Sequence, residues 1–200
     1  CLAWIAVEMG TDNFYGYMSQ FGIGHPTGID LSGEAGGRLK IPGDADWYPV
    51  DLATNAFGQG VTATPIQMMM AVSAVANDGK MVTPRLLYGM VRDGKQYDFP
   101  GQDAGQPISK ETAHTLSEML ANSLTWGESE ALVPGYRLAG KTGTAQIPTE
   151  YGWYASEETN ASFIGWGPVD DPQFMVYVWL EKPAASIWAS QTAAPVFAEV

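Results

Sequence analysis

Gly140-Lys141-Thr142-Gly143-Thr144-Ala145-Gln146 carries the period of a strand. From 136 to 147 the residues alternate, and glycine is the only breaker. Alternation puts Thr142 and Thr144 on one face, so two hydroxyls point the same way. Lys141 adds a cation beside them. Such a strand edge can hold a carboxylate through two hydroxyls and a positive charge. Its free backbone N–H groups can polarise a carbonyl. Gly143 has no side chain, so a backbone or a ligand can come close. An ordinary strand with an exposed lysine would carry the same Lys-Thr-Gly tripeptide.

Composition narrows the setting. Two hundred residues, 46% of them hydrophobic, suffice for one domain or a large part of a bigger one. The net charge of −12 argues against nucleic acid, which needs a basic face. A single cysteine, Cys1, excludes an internal disulfide and reads as a small buried hydrophobe. The longest apolar run, 68–76, is too short to span a bilayer. The chain opens inside an apolar pattern, Cys1-Leu2-Ala3-Trp4-Ile5-Ala6-Val7, with no cap before it. That reads as a helix cut open, so the chain is expected to be a piece of something longer. Leu2, Trp4, Ile5 and Val7 then need a covering partner.

Taken in order, residues 1–9 are expected to be helical and to end at Gly10. Thr11 would cap a second helix over 12–21. A glycine-rich loop follows, from Phe21-Gly22-Ile23-Gly24-His25-Pro26 to Ser32-Gly33-Glu34, and 35–50 continue as loop. His25 has no partner nearby in sequence and reads as a loop residue. Thr64-Pro65-Ile66-Gln67 is a capping box with proline at the first helical position, starting a buried helix to about 77. Residues 81–91 are strand-like around Pro84, Asp93-Gly94 signals a hairpin turn, and 97–107 read as polar loop. Ser109 caps a helix with Leu116, Met119, Leu120 and Leu124 on one face, and His114 on its surface. Beyond the Lys-Thr-Gly strand, 148–160 form a loop in which Tyr151, Trp153 and Tyr154 either line a groove or pack locally. Strands at 161–167 and 174–180 flank a turn containing Asp170 and Asp171. The near-continuous apolar character of 174–180 implies cover on both faces. Ser190 caps a last helix. The fold class is α+β, an antiparallel sheet flanked by helices. Residues 138–146, 162–166 and 175–180 should pair in that sheet.

Val133-Pro134-Gly135-Tyr136-Arg137-Leu138-Ala139-Gly140 leads directly into Lys141-Thr142-Gly143-Thr144-Ala145-Gln146. The run resembles the third active-site motif of penicillin-binding transpeptidases. Thr27-Gly28-Ile29-Asp30-Leu31-Ser32-Gly33-Glu34, Gly58-Gln59-Gly60 before Thr64-Pro65-Ile66-Gln67, Asn77-Asp78-Gly79-Lys80 with Pro84, and Ala193-Ala194-Pro195-Val196-Phe197 also match in order and spacing. Together they resemble the class B penicillin-binding proteins, the single-pass D,D-transpeptidases of peptidoglycan synthesis, elongation and division enzymes equally. The family's Ser-x-x-Lys and Ser-x-Asn motifs are absent from these residues. Residues 1–200 are therefore expected to be the C-terminal part of a transpeptidase domain, and inactive alone.

The resemblance implies roles for the third motif. Lys141 would organise the proton network and attract the substrate carboxylate. The Thr142 and Thr144 hydroxyls would bind it, with Gly143 between them. The Thr144 backbone N–H would be one oxyanion-hole donor. It implies neither metal nor cofactor. Implied partners are peptidoglycan stem peptides, β-lactam antibiotics, the upstream part of the same protein and a glycosyltransferase. The implied location is the extracytoplasmic face of the bacterial inner membrane, anchored by an upstream segment. A β-lactamase or β-lactam-sensing receptor domain shares the third motif, and a non-catalytic domain that binds cell wall would too.

Overall fold

The computed structural model describes residues 1–127, 129–149 and 158–200. Tyr151, Trp153 and Tyr154 lie outside the described residues. The chain divides into two units, Cys1–Ser109 and Lys110–Val200.

In the first unit, helices α1 (Leu2–Met9) and α2 (Thr11–Gln20) meet at Gly10. Its φ of 81° and ψ of 158° are open essentially to glycine alone. Gly10 is the N-cap of α2, so Thr11 is its first helical residue and not its cap. Helix α3 (Pro49–Asn55) was not expected. Its start is made by Pro49 and by the Asp51 carboxylate, which accepts the Tyr48 N–H at 2.7 Å. Ala6, Tyr15 and Leu52 form one core cluster across α1, α2 and α3. The Tyr15 hydroxyl accepts from Trp47 Nε1 at 2.9 Å and Asn55 Nδ2 at 3.2 Å. Leu2, Trp4, Ile5 and Val7 are exposed, as expected of an uncovered face. Cys1 is exposed as well, because it precedes the first turn of α1 and does not enter the core.

Helix α4 (Pro65–Ala76) starts as its capping box requires. Thr64 Oγ1 accepts the Gln67 N–H at 3.2 Å, and Gln67 Oε1 accepts the Thr64 N–H at 2.7 Å. Gln67 is fully buried and donates through Nε2 to the carbonyls of His25 and Gly36, at 2.5 and 2.7 Å. One amide side chain thus ties the glycine-rich loop to the helix. Met70, Ala74 and Met81 form a second cluster, so the methionine run packs as core on that side.

The strand-like stretch after α4 splits in two. β1 (Met81–Val82) pairs antiparallel with β4 (Asp103–Gly105). β2 (Gly89–Arg92) pairs with β3 (Lys95–Asp98) in a separate hairpin. Asp93 and Gly94 turn it with φ of 53° and 71°, the left-handed values of a tight hairpin turn. Pro84 falls in the break between β1 and β2. Strand structure at 97–98 and 103–105 corrects the polar-loop expectation for 97–107. Hydrophilic side chains hid it, because β3 is exposed throughout and β4 turns only Ala104 against the core.

In the second unit, α5 (Lys110–Gly127) precedes β5 (Ala139–Gln146), β6 (Thr159–Gly167) and β7 (Phe174–Glu181). A short 3₁₀ turn at Ala189–Gln191 leads into α6 (Ala193–Glu199). The sheet order is β5-β6-β7, antiparallel throughout, so the expected pairing is present. The buried stripe of α5 is Ala113, Ser117, Ala121 and Leu124, whereas Met119 is exposed. Small residues face inward because they allow close approach. Leu124, Ala161, Phe163, Ala193, Ala194 and Phe197 make the core on one sheet face. β6 is the buried central strand; β7 is an edge with Phe174 and Trp179 exposed, not covered on both faces. Its apolar run reflects β propensity rather than full burial.

Two outcomes test this account. Gln67→Met keeps the volume but leaves the His25 and Gly36 carbonyls without their donor. It should cost about 1–3 kcal/mol in denaturant unfolding of the full-length protein. Glu34 accepts from Thr27 Oγ1 (2.5 Å) and from the Thr27 and Gly28 N–H groups (2.6 and 3.0 Å). The Thr27 hydroxyl, first among these, holds the Glu34 carboxyl below its ordinary value of 4.5. A depressed carboxylate contributes fully above that value and loses its contribution as pH falls below it. Amide exchange at Thr27 and Gly28, followed by NMR, should lose protection selectively in that acid range.

Candidate active site

Strand β5 pairs with β6 on one side only among the described residues. The Ile147 N–H donates to the Glu158 carbonyl at 3.0 Å, continuing the register of Gln146 with Thr159. In an antiparallel ladder, residues alternate between bonding the partner and pointing away from it. Ile147 bonds inward, so Lys141, Gly143 and Ala145 do as well. Thr142 and Thr144 therefore turn their N–H and C=O groups to the open edge. That is the geometry an oxyanion donor at Thr144 requires.

The side chains follow the sheet faces. Thr142 pairs with Phe163, and Thr144 with Ala161, so both threonines share the face that carries the core. Being on the edge strand, they stand at its rim, Thr142 half-buried and Thr144 exposed. Thr144 Oγ1 accepts the N–H of Ala189, from the 3₁₀ turn, at 3.2 Å. That bond uses a lone pair and leaves the Thr144 O–H able to donate outward. Thr159 Oγ1 donates to the Ile187 carbonyl at 2.9 Å, holding the other end of the same segment. Lys141 is exposed, and its Nζ lies 3.1 Å from Thr142 Oγ1 and 3.2 Å from the Thr142 carbonyl. An ammonium donating to a hydroxyl oxygen likewise directs that hydroxyl's proton away from itself. Two hydroxyls and one cation thus stand along a single strand edge.

Gly143 earns a more specific reason than ligand approach. A Cβ there would sit 2.7 Å from Ser162 Oγ on the paired strand. At Gly140 a Cβ would come within 2.6 Å of the Phe163 ring and 2.8 Å of the Ile164 carbonyl. The two glycines let β5 lie flat against β6. Arg137 fixes the entry to the strand, donating to Glu118 of α5 at 2.5 Å and to Asp170 at 2.9 Å. Glu118, then Asp170, raises the Arg137 guanidinium above its ordinary range. Asp170 is a turn residue with this second task.

Ala189 and Ser162 are the neighbours that sequence reasoning missed. Ala189 acts through its backbone from 45 residues away, and no side-chain signal could mark it. Ser162 sits directly opposite Gly143 in the register, so pairing the two strands on paper would have found it. His25 and His114 are both exposed. Among the described residues, no cluster of His, Cys, Asp and Glu could hold a metal ion.

Residues 1–200 match the family described as the penicillin binding protein transpeptidase domain. The chain belongs to that family. It is 38% identical over 198 residues to stage V sporulation protein D of Bacillus subtilis, covering 96% of the chain and 30% of that relative. It is 32% identical over 219 residues to the peptidoglycan D,D-transpeptidase MrdA of Acinetobacter baumannii, covering 96% of the chain and 31% of the relative. Penicillin-binding protein 3 of Mycobacterium tuberculosis, solved with ampicillin, superposes with a TM-score of 0.88 at 30% identity. That match covers 98% of this chain and 46% of the solved one. The transpeptidase domain of penicillin-binding protein 3 from Burkholderia pseudomallei gives a TM-score of 0.80 at 26% identity, over 98% of this chain and 57% of that domain chain. The chain thus spans about a third of the length of these curated relatives.

One substitution probes the strand geometry directly. Gly140→Ala should overpack the Phe163 contact and cost about 1–3 kcal/mol, read as a lowered thermal midpoint of the full-length protein. Adding Phe163→Leu, which withdraws the ring, should recover part of that loss.

Proposed function

We propose that these residues are part of the transpeptidase domain of a serine D,D-transpeptidase that cross-links peptidoglycan, with its nucleophile outside residues 1–200. The single observation that carries the proposal is the open β5 edge, where the Thr144 N–H and the Thr142 and Thr144 hydroxyls face outward beside Lys141. It supports a site for an anionic acyl donor whose carbonyl is polarised at the strand. The relatives' names, MrdA above all, support the substrate class.

The chemistry is acyl transfer. The serine Oγ attacks the penultimate D-Ala carbonyl of a stem peptide, and its proton passes through the lysine network to the departing amine. The D-Ala–D-Ala peptide bond breaks, and D-Ala leaves. An amine of a neighbouring stem then attacks the ester, forms the new amide and returns the proton to the serine oxygen. In this reading the Thr144 N–H donates to the carbonyl oxygen as it gains negative charge. Thr142 and Thr144 hydroxyls hold the terminal carboxylate, and Lys141 supplies the positive field. A β-lactam, with its own carboxylate and strained amide, acylates the same serine. The reading puts the domain outside the cytoplasmic membrane, held by an upstream segment, with a glycosyltransferase supplying the strands. Among the described residues no helix is long and apolar enough to cross a membrane.

Thr144→Val keeps the shape and removes the hydroxyl. In the full-length protein it should slow penicillin acylation by roughly 10- to 150-fold, the loss of one hydrogen bond to a charged group. A rate within twofold of wild type would remove Thr144 from the carboxylate site. The 200-residue chain by itself should form no covalent adduct with a fluorescent penicillin by intact mass, since no serine here has a lysine three residues later. A stoichiometric adduct would mean that the nucleophile lies within these residues. In the full-length protein, a long-lived acyl-enzyme is expected, and rapid turnover of the β-lactam would point to a lactamase instead.

A further inference from the structure

The β2–β3 hairpin buries none of its side chains. A two-stranded hairpin exposed on both faces is marginal alone, so its apolar residues call for an explanation. Register pairs Arg92 with Lys95 and Met90 with Tyr97. The Phe99 N–H donates to the Tyr88 carbonyl at 2.9 Å, which extends the ladder by one rung. Period-two alternation then puts Tyr88, Met90, Arg92, Lys95, Tyr97 and Phe99 on one face. That face holds three aromatic rings, a methionine and two cations, and no carboxylate, on a chain of net charge −12. Tyr88 is 73% exposed and Tyr97 47% exposed. Asp98 and Gln96 fall on the opposite face, where Gln96 Nε2 donates to Asp98 Oδ1 at 2.6 Å. Arg92 is paired only loosely, with Nε 3.8 Å from Asp93 in the turn.

The hairpin's root is fixed. The Asp30 carboxylate accepts the Leu86 and Leu87 N–H groups, each at 2.7 Å. The Arg85 guanidinium lies 5.4 Å from the Tyr88 ring centre. The rungs are about 7 Å apart, from two residues of strand rise. The platform therefore runs from aromatic rungs at the root to a cationic rung at the tip. It is exposed along its length, which suits a polymer lying along it better than a small molecule, which needs a concave site. Rings offer stacking surface to apolar sugar faces, and the cations select an occupant that carries carboxylates.

We propose that this hairpin face binds peptidoglycan strands, a glycan polymer carrying carboxylate-ended peptides, and so holds the polymer on which the protein acts. The proposal rests on the transpeptidase reading above. Soluble, uncross-linked peptidoglycan strands are titrated onto the full-length protein, with fluorescent penicillin acylation measured in parallel. Tyr88→Ser with Tyr97→Ser, and separately Arg92→Gln with Lys95→Gln, should each weaken strand binding about tenfold. Acylation should stay within twofold, since penicillin has no polymer to hold, and that unchanged rate also reports an intact fold. The Arg92/Lys95 pair should in addition abolish the preference for free over amidated stem carboxylates. Strand affinity within twofold of wild type in both variants overturns the proposal. So does binding of polyglutamate as tight as that of the strands, or a concentration-dependent dimer in sedimentation that both variants abolish, which would make a second copy the occupant. Failure of penicillin to acylate the wild-type protein at all overturns the reading beneath it.

Discussion

An antiparallel strand with one neighbour has every second residue's backbone groups left over. Among the described residues β5 has β6 alone as neighbour, and Thr142 and Thr144 are among the residues it turns to the other side; the assignment rests on one inward bond, Ile147 to Glu158. Shift the register by one residue and Lys141, Gly143 and Ala145 would present the open groups instead. The threonine hydroxyls would then stand on the other face, away from Ala189. Hydroxyl placement and N–H placement are thus one constraint.

Register in turn is held by packing that leaves no freedom to slip. Phe163 sits where a side chain at Gly140 would be, and Phe197 of α6 sits where one at Gly165 would be. The two rings lie 4.6 Å apart between centroids. Gly140 and Gly165 are register partners, so the hollow they make together receives the aromatic pair. A one-residue slip would drive a side chain into that space. The core cluster thereby fixes which N–H groups of β5 reach the edge. Overpacking at Gly140 tests that coupling, because it perturbs register without touching a functional group.

The sheet was legible because its signals were local: apolar strands of matched length, a turn rich in aspartate, and an edge strand with glycine at two positions. The capping box at Thr64 and Gln67 was legible for the same reason. What escaped was held by backbone or by tertiary contact. Helix α3 is only seven residues long and owes its start to Asp51, whose partner is a backbone N–H. Strand β3 is exposed throughout and β4 turns only Ala104 toward the core, so no hydrophobic period marks them. The α5 stripe misled in part, because Ala113, Ser117 and Ala121 join Leu124 on the close face while Met119 is exposed. At the site itself, Lys141, Thr142, Gly143 and Thr144 could be read from the strand motif. Ala189 could not, since its contribution is an N–H that any residue would supply.

That Ala189 contact bears on how the edge can discriminate among anions. A hydroxyl both accepts and donates, and in water its proton rotates freely. Once Thr144 Oγ1 accepts from a fixed backbone N–H, its own proton loses its freedom to turn inward. Little reorganisation is then left when a carboxylate arrives, which is the condition under which preset dipoles are worth more than water. The arrangement depends on the loop that carries Ala189, and Thr159 restrains that loop through the Ile187 carbonyl. Thr159 is also the register partner of Gln146, at the end of β5. The strand that presents the hydroxyls and the segment that orients one of them are therefore tied to the same rung of the sheet.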